Sequence, residues 1–362
     1  MTNFRLVNYG CFMSPFRVHA GLLGLALTAV TMTGPPGPSP VQRALEWAVA
    51  DGRGPGIVAE LRHGHSRPWF GTAGVADLAS GAARRQDEHF RIGSFTKAFV
   101  GVVVVRLADE GALSLDDTLA QWLPGVAEEY FGADSAKIDI RQLLNHTSGL
   151  PDALPGQEPP SPLEPGTRFI YSKVNYTLAG MIVEKATGST LAAEIDRHIA
   201  RPLGLKGTYL PGADDHGVRA PHARHYSKFT EHGAPAEIHD VTEVDQSWAG
   251  AAGGMISTTS DLHRFLTALL RGDLLSPAGQ KEMFTTVETA DWVPATRYGL
   301  GVYCQTLPSG LTLWGGGGYI QGSTTYAMGD RRATHVLVSN LNGDWNDFVA
   351  TFEDLYGAVF RR

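Results

Sequence analysis

Strand-like segments sit at the two ends of this chain with helical sequence between them, and that distribution most restricts how it can fold. Ile57 to Arg62 and Trp69 to Val75 carry strand composition and are joined by a turn around Gly64. Four more such runs come late: Gly301–Gln305, Leu311–Trp314, Thr324–Met328 and His335–Ser339. Helical spacing marks residues 41–50, Phe99–Ala108, Leu178–Lys185, Leu191–Ile199, a stretch starting near Thr258 and a closing segment, Asn346–Val359. Early and late strands must pair with each other to bury their apolar faces. The expected fold is α/β (α+β): an antiparallel sheet made from N- and C-terminal strands and flanked by helices, plus a mostly helical insertion at roughly 115–215. A chain of 362 residues is long enough for this as one large domain or two closely packed ones.

Residues 1–40 stand apart from the folded part, 41–362. Arg5 and Arg17 precede an apolar run, Ala20–Met32, and a Pro/Gly-rich stretch, Gly34–Pro40. That order is expected of a secretory signal and a secreted or cell-envelope location; the other reading is a disordered extension on a cytoplasmic protein. The run is too short for a stable membrane span. A net charge of −7 without a dense Lys/Arg run argues against a nucleic-acid partner. The two cysteines, Cys11 and Cys304, cannot build a disulfide framework, and Cys304 reads as a small buried side chain. His63-Gly64-His65 invites a metal reading, but no third ligand is evident, so neither metal nor other cofactor is expected.

Chemistry concentrates in Ile92-Gly93-Ser94-Phe95-Thr96-Lys97, where a long apolar helix begins. Residues three apart on a helix share a face, so Ser94 and Lys97 can touch. A serine hydroxyl becomes a competent nucleophile when a neighbouring base takes its proton, and an amine is that base only if desolvation or a nearby cation lowers its pKa. The tetrapeptide alone also suits a helix cap followed by a solvated lysine.

Its context is more specific. Phe90 to Lys97 resembles the nucleophile motif of the serine β-lactamase-like superfamily, in the branch of class C β-lactamases, DD-carboxypeptidases and family VIII esterases. The resemblance continues through Leu107–Asp117 (LADEGALSLDD), Ile140–Leu150 (IRQLLNHTSGL), Tyr171-Ser172 and Ala252–Thr258 (AGGMIST), and covers essentially 41–360. It implies a sheet domain and a helical domain with the site between them. It also implies that Ser94 is the nucleophile, Lys97 its base and Tyr171 a proton shuttle. His146, in the Asn145–Gly149 loop, is read as structural. The family's Tyr-x-Asn motif here ends in Lys173. Its third motif, a cation-hydroxyl-glycine strand, falls on Gly316, Gly317 and Gly318, with the N–H groups of Ser94 and Tyr319 as the implied oxyanion donors. Trp314-Gly315-Gly316 looks like the variant found in family VIII esterases and suggests substrate binding at Trp314. Trp248 and Tyr226 are read either as acyl-pocket or as core residues.

Two expectations follow from the departures. Lys173 is expected either to replace part of the missing third-motif cation and hold Tyr171 ionisable, or to point to solvent; a unit charge about 4 Å away contributes roughly 4 kcal/mol at an effective dielectric near 20. The strand arginine that holds a substrate carboxylate in DD-carboxypeptidases is matched by Tyr303, after Gly299–Val302, and the hydroxyl positions by Gly317 and Tyr319. A substrate lacking a flanking carboxylate is therefore expected. The implied function is a serine acyl transfer from a small ester or amide through acyl-Ser94 to water or to an amine or alcohol, as in transacylases of natural-product biosynthesis. The alternatives are a β-lactamase or D-Ala-D-Ala carboxypeptidase, and an inactive binding or sensor homologue.

Overall fold

The computed structural model describes residues 39–64, 66–126, 137–152, 163–228 and 237–360. The signal-like segment up to residue 38, with Cys11, lies outside the described residues, as do His65 and most of the Pro-rich loop between Pro151 and Pro165. Among the described residues, no helix is long and apolar enough to cross a membrane.

The two ends of the chain meet in one sheet. Its strands are β1 (Gly56–His63), β2 (Trp69–Gly74), β3 (Val287–Glu288), β4 (Thr296–Tyr298), β5 (Tyr303–Thr306), β6 (Thr312–Ile320), β7 (Ser323–Gly329) and β8 (His335–Leu341). Their order is β2-β1-β8-β7-β6-β5-β4-β3, and every neighbouring pair is antiparallel. The closing ladder between early and late sequence is β1 on β8, from Ile57 opposite Leu341 to His63 opposite His335.

Successive side chains of β1 serve two different cores. Ile57 and Ala59 join a cluster with Leu45, Tyr326, Leu337, Phe352, Leu355 and Tyr356. Val58 joins the other, with Phe99, Phe265, Leu266, Val336 and Val338. The first cluster lies beneath helices from the two chain ends, Pro40–Ala50 (α1) and the C-terminal Phe348–Phe360. The second lies beneath Thr96–Asp109 (α2) and the helix Thr259–Arg271. With both faces covered, β1 opens on three consecutive apolar residues, Ile57–Ala59, rather than alternating.

Helix α2 is buried on all sides from Thr96 to Val105, which fits an apolar sequence without a polar stripe. The sheet side lies on one flank. On another lies Lys173–Thr187 (α3), the longest helix of the 115–215 region, whose described regular elements are all helical. The start of α2 thus faces both the sheet and the helical part.

The sequence reading foresaw these elements to within a few residues, with two differences. Strands β3 and β4 were not expected; they are two and three residues long, too short for a periodic pattern. Strand β6 extends past Trp314 to Ile320, through a glycine run that carries no strand propensity of its own.

Candidate active site

Ser94 lies in a 3₁₀ turn, Gly93–Phe95, that feeds directly into α2. Gly93 has φ 53°, and a Cβ there would lie 2.7 Å from the Tyr319 nitrogen, so glycine is needed both for the backbone and for the close approach of β6. Thr96 ties the turn down. Its Oγ1 donates to the Gly93 carbonyl at 2.8 Å and accepts the Met255 N–H at 3.1 Å.

One helical turn from Ser94, Lys97 is only 1% exposed. Its Nζ donates to Ser94 Oγ at 3.2 Å and to the Ala252 carbonyl at 2.5 Å. It also lies 5.0 Å from the centre of the Tyr171 ring and 5.4 Å from that of Tyr176. Burial pulls its pKa from 10.5 down to about 7; Asp152 opposes the shift and Lys173 adds to it. The amine is therefore neutral above that pH, as a base must be.

The Ser94 side chain lies close enough to the Tyr171 hydroxyl to favour its ionised form. Its ring stacks on Trp292 at 5.3 Å and packs against His146 at 4.5 Å. Burial pushes the phenol above its ordinary range, more than the Ser94 contact lowers it. The lowered phenol pKa expected of this shuttle is thus overturned by desolvation.

Lys173 explains why no rescue comes from its side. It is the first residue of α3, and its backbone N–H donates to Asp152 Oδ1 at 2.7 Å while its Nζ pairs with Asp152 Oδ2 at 3.3 Å. Asp152 raises the Tyr171 pKa and Lys173 lowers it, so the two oppose each other there and at Lys97, with Asp152 the larger influence. Asp152 was invisible from the sequence because it faces Lys173 only across a loop. Trp248, 37% exposed, flanks this pair with its ring centre 5.9 Å from Lys173 Nζ.

The opposite wall is β6. Beyond Gly315, which pairs with Tyr303, the edge of β6 leaves β5 and runs against the Ser94 turn. A Cβ at Gly318 would lie 1.8 Å from the Ile92 carbonyl oxygen, and one at Gly316 would lie 2.9 Å from the Phe95 ring. A Cβ at Gly317 would meet Phe348 at 2.5 Å and the Tyr303 hydroxyl at 3.2 Å. Two aromatic side chains therefore stand where a hydroxyl-bearing side chain would project. Tyr319 is 38% exposed, and its hydroxyl donates to the Asp344 carbonyl.

Trp314 falls elsewhere than expected, while Tyr226 takes the core place that was one of its two readings. Trp314 is half-buried and packs against the core: it meets Phe284 at 5.2 Å and lies five positions, roughly 16 Å, up the strand from Tyr319. Tyr226 is buried, and its hydroxyl accepts the Leu78 N–H at 2.9 Å, serving a loop and not a pocket. His63 meets His335 edge to face at 4.1 Å. Cys304 is buried and free, as read from the sequence.

Known proteins share the sequence pattern and the fold that bring these groups together. The family model described as Beta-lactamase matches residues 41–356. A D-stereospecific amidohydrolase from Streptomyces sp. is 37% identical, with a TM-score of 0.79 over 89% of this chain and 98% of that one. The D-amino acid amidase of Ochrobactrum anthropi SV3 is 27% identical, with a TM-score of 0.76 over 88% of this chain and 97% of that one. A penicillin-binding protein of Bacillus subtilis (strain 168) is 28% identical over 75% of this chain, and the match spans 65% of that relative's length. Sequence match and fold agree: this chain belongs to the beta-lactamase family and is a serine hydrolase of the esterase, amidase and carboxypeptidase type.

Proposed function

We propose that this protein is an amidase that cleaves a carboxylate-free amide of a D-amino acid through an acyl-Ser94 intermediate. The observation that carries the reading is Ser94 Oγ at 3.2 Å from a buried lysine whose amine is neutral above about pH 7.

Lys97 takes the hydroxyl proton as Ser94 Oγ bonds to the amide carbon. The N–H groups of Ser94 and Tyr319 hold the oxyanion. Lys97, now an ammonium, returns the proton through the Tyr171 hydroxyl to the leaving nitrogen, and the C–N bond breaks. Water then repeats the sequence: its proton passes through Tyr171 to Lys97, its oxygen attacks the acyl carbon, and Ser94 leaves with the proton. Tyr171 stays a neutral phenol, donating one proton as it receives another, and Lys97 is the base.

The aromatic closure at Gly317 supports the substrate class. Tyr303 and Phe348 offer an amide leaving group a ring surface and a hydroxyl, but no cation for a carboxylate. The D configuration rests on the two amidase relatives. Water as acceptor, in place of the amine of a transacylase, rests on the same two.

The test is a substrate panel of D- and L-phenylalaninamide, p-nitrophenyl esters, nitrocefin and a D-Ala-D-Ala peptide, with and without added amine, with intact-mass detection of a Ser94 adduct. Release of ammonia from the D-amide, with an adduct lost in Ser94→Ala, is expected. Preference for nitrocefin or D-Ala-D-Ala, or acyl transfer to amine outrunning hydrolysis, would overturn it.

A further inference from the structure

A proton relay through Tyr171 needs its hydroxyl held at Ser94 and Lys97, whose Nζ lies 5.0 Å from the ring centre, yet Tyr171 belongs to no helix or strand. It lies between a loop and the first turn of α3. Its place is set instead by a residue distant in sequence. His146 has φ 62°, a left-handed conformation uncommon outside glycine. In that conformation its carbonyl accepts the Ile170 N–H at 2.8 Å, while its imidazole Nδ1 accepts the Ser172 N–H at 3.3 Å. One side chain and its own backbone thus grip the residues on either side of Tyr171. The imidazole also packs against the Tyr171 ring, centre to centre at 4.5 Å.

The grip has its own support. Asn175, fully buried on α3, places its Nδ2 3.1 Å from the same Nδ1. Its Oδ1 accepts the Ser148 hydroxyl at 2.6 Å, which fixes which end of the amide faces the ring. Two donors converging on Nδ1 require that nitrogen to be unprotonated and leave the hydrogen on Nε2. Burial and the nearby Lys97 hold the imidazole pKa well below its ordinary value, so the ring is neutral where the enzyme works.

We propose that His146 is the positioning residue of Tyr171, clasping the peptide groups on both sides of it so that the phenol bridges Ser94 and Lys97. The loop reading of His146 is thereby replaced by a role in the reaction. The proposal rests on Tyr171 being the proton relay.

A double-mutant cycle in the full chain tests it, with the D-amide as substrate. His146→Leu is expected to lower kcat about 10- to 100-fold, the usual range for losing such support, with KM within about twofold. His146→Asn keeps an acceptor at the Nδ1 place and tolerates positive φ, so it is expected to hold kcat within about fivefold. In a Tyr171→Phe background, which keeps the ring and removes the relay, His146→Leu is expected to cost less than about a further twofold. Equal losses in both backgrounds, or an Asn variant as damaged as the Leu variant, would overturn the clasp. Full activity in Tyr171→Phe alone would instead sink the relay reading, and the clasp with it. If His146→Leu does not yield folded protein, His146→Phe, which keeps a ring but no acceptor, carries the same cycle.

Discussion

Ser94 and Lys97 meet because they lie three residues apart where a 3₁₀ turn runs into α2, whereas Gly316–Tyr319 reach the same cleft from the other end of the chain, as the edge of β6. The first wall is dense and nearly closed to solvent: Lys97 is 1% exposed and bonded to Ser94 and Ala252. The second is bare backbone, held at its distance by what a Cβ would strike. The difference separates two jobs. The helix wall sets the chemistry through burial, which turns an ordinary lysine into a base. The strand wall sets what lies over the nucleophile, through shape.

Removing the base should produce the largest effect. Lys97→Met is expected to lower kcat/KM by roughly 10³–10⁴-fold, the scale for loss of a member of a nucleophile-base unit. The sign of the pH dependence follows from the same group. Lys97 has its pKa depressed to about 7, so the working neutral amine predominates above that value, and log kcat/KM of the wild type should fall with unit slope below it and level off above. A rate profile of wild type and variant checks both. A residual Lys97→Met activity that keeps the same acidic limb would assign the limb to another group and break the helix wall's part of the contrast.

A methyl group tests the strand wall. Gly318→Ala would put Cβ 1.8 Å from the Ile92 carbonyl, backbone against backbone, so β6 must withdraw from the Ser94 turn. Displacement near 1 Å at a reacting centre costs about 10²-fold, and that fall in kcat/KM is expected. Gly317→Ala meets the tip of the Phe348 ring at 2.5 Å, and a ring can turn aside, so a smaller loss is expected, relieved by Phe348→Ala. Steady-state kinetics with melting temperatures distinguish a displaced strand from an unfolded one. Equal losses at 317 and 318 would mean that ring contact and backbone contact do not differ in this wall.

How far each wall was legible in the sequence follows from how it is built. The Ser94–Lys97 contact is local, and helical spacing alone brings it within reach. The two-ended sheet was legible because β1 and β8 carry the apolar runs Ile57–Ala59 and Val336–Val338, and β7 the β-branched and aromatic residues Thr324, Thr325 and Tyr326. Tyr171 could be singled out only by resemblance, since neither spacing nor pattern ties it to Ser94. Strand β6 was truncated in the reading at Trp314 because glycines give no strand signal, and Trp314 was drawn toward the site by its neighbours although its ring packs against the core. Lys173 stands out in the sequence as a new cation, but its effect depends on Asp152 across a loop, a tertiary contact with no sequence signature. The phenol pKa was misjudged for the same reason: burial outweighs nearby charge, and burial is not visible until the chain is folded.

The Lys173–Asp152 pair should give the smallest effect and the finest test, because it touches the helix wall only through its field. On Lys97, Asp152 acts to raise the pKa and Lys173 to lower it. Lys173→Met leaves the carboxylate unopposed, so the acidic limb of kcat/KM should move up in pH; Asp152→Asn leaves the ammonium unopposed, so the limb should move down. With both changed, the limb should return close to its wild-type position. Both side chains are more than a third exposed, so solvent screens them, and exposed pairs are worth about 0.2–1 kcal/mol. Each shift should therefore be a fraction of a pH unit and shrink in high salt, with rates above the limb changed by less than about fivefold. A large loss of rate in Lys173→Met that Asp152→Asn does not offset would place Lys173 in contact with the substrate, and the recognition surface would then include the start of α3 as well as the strand.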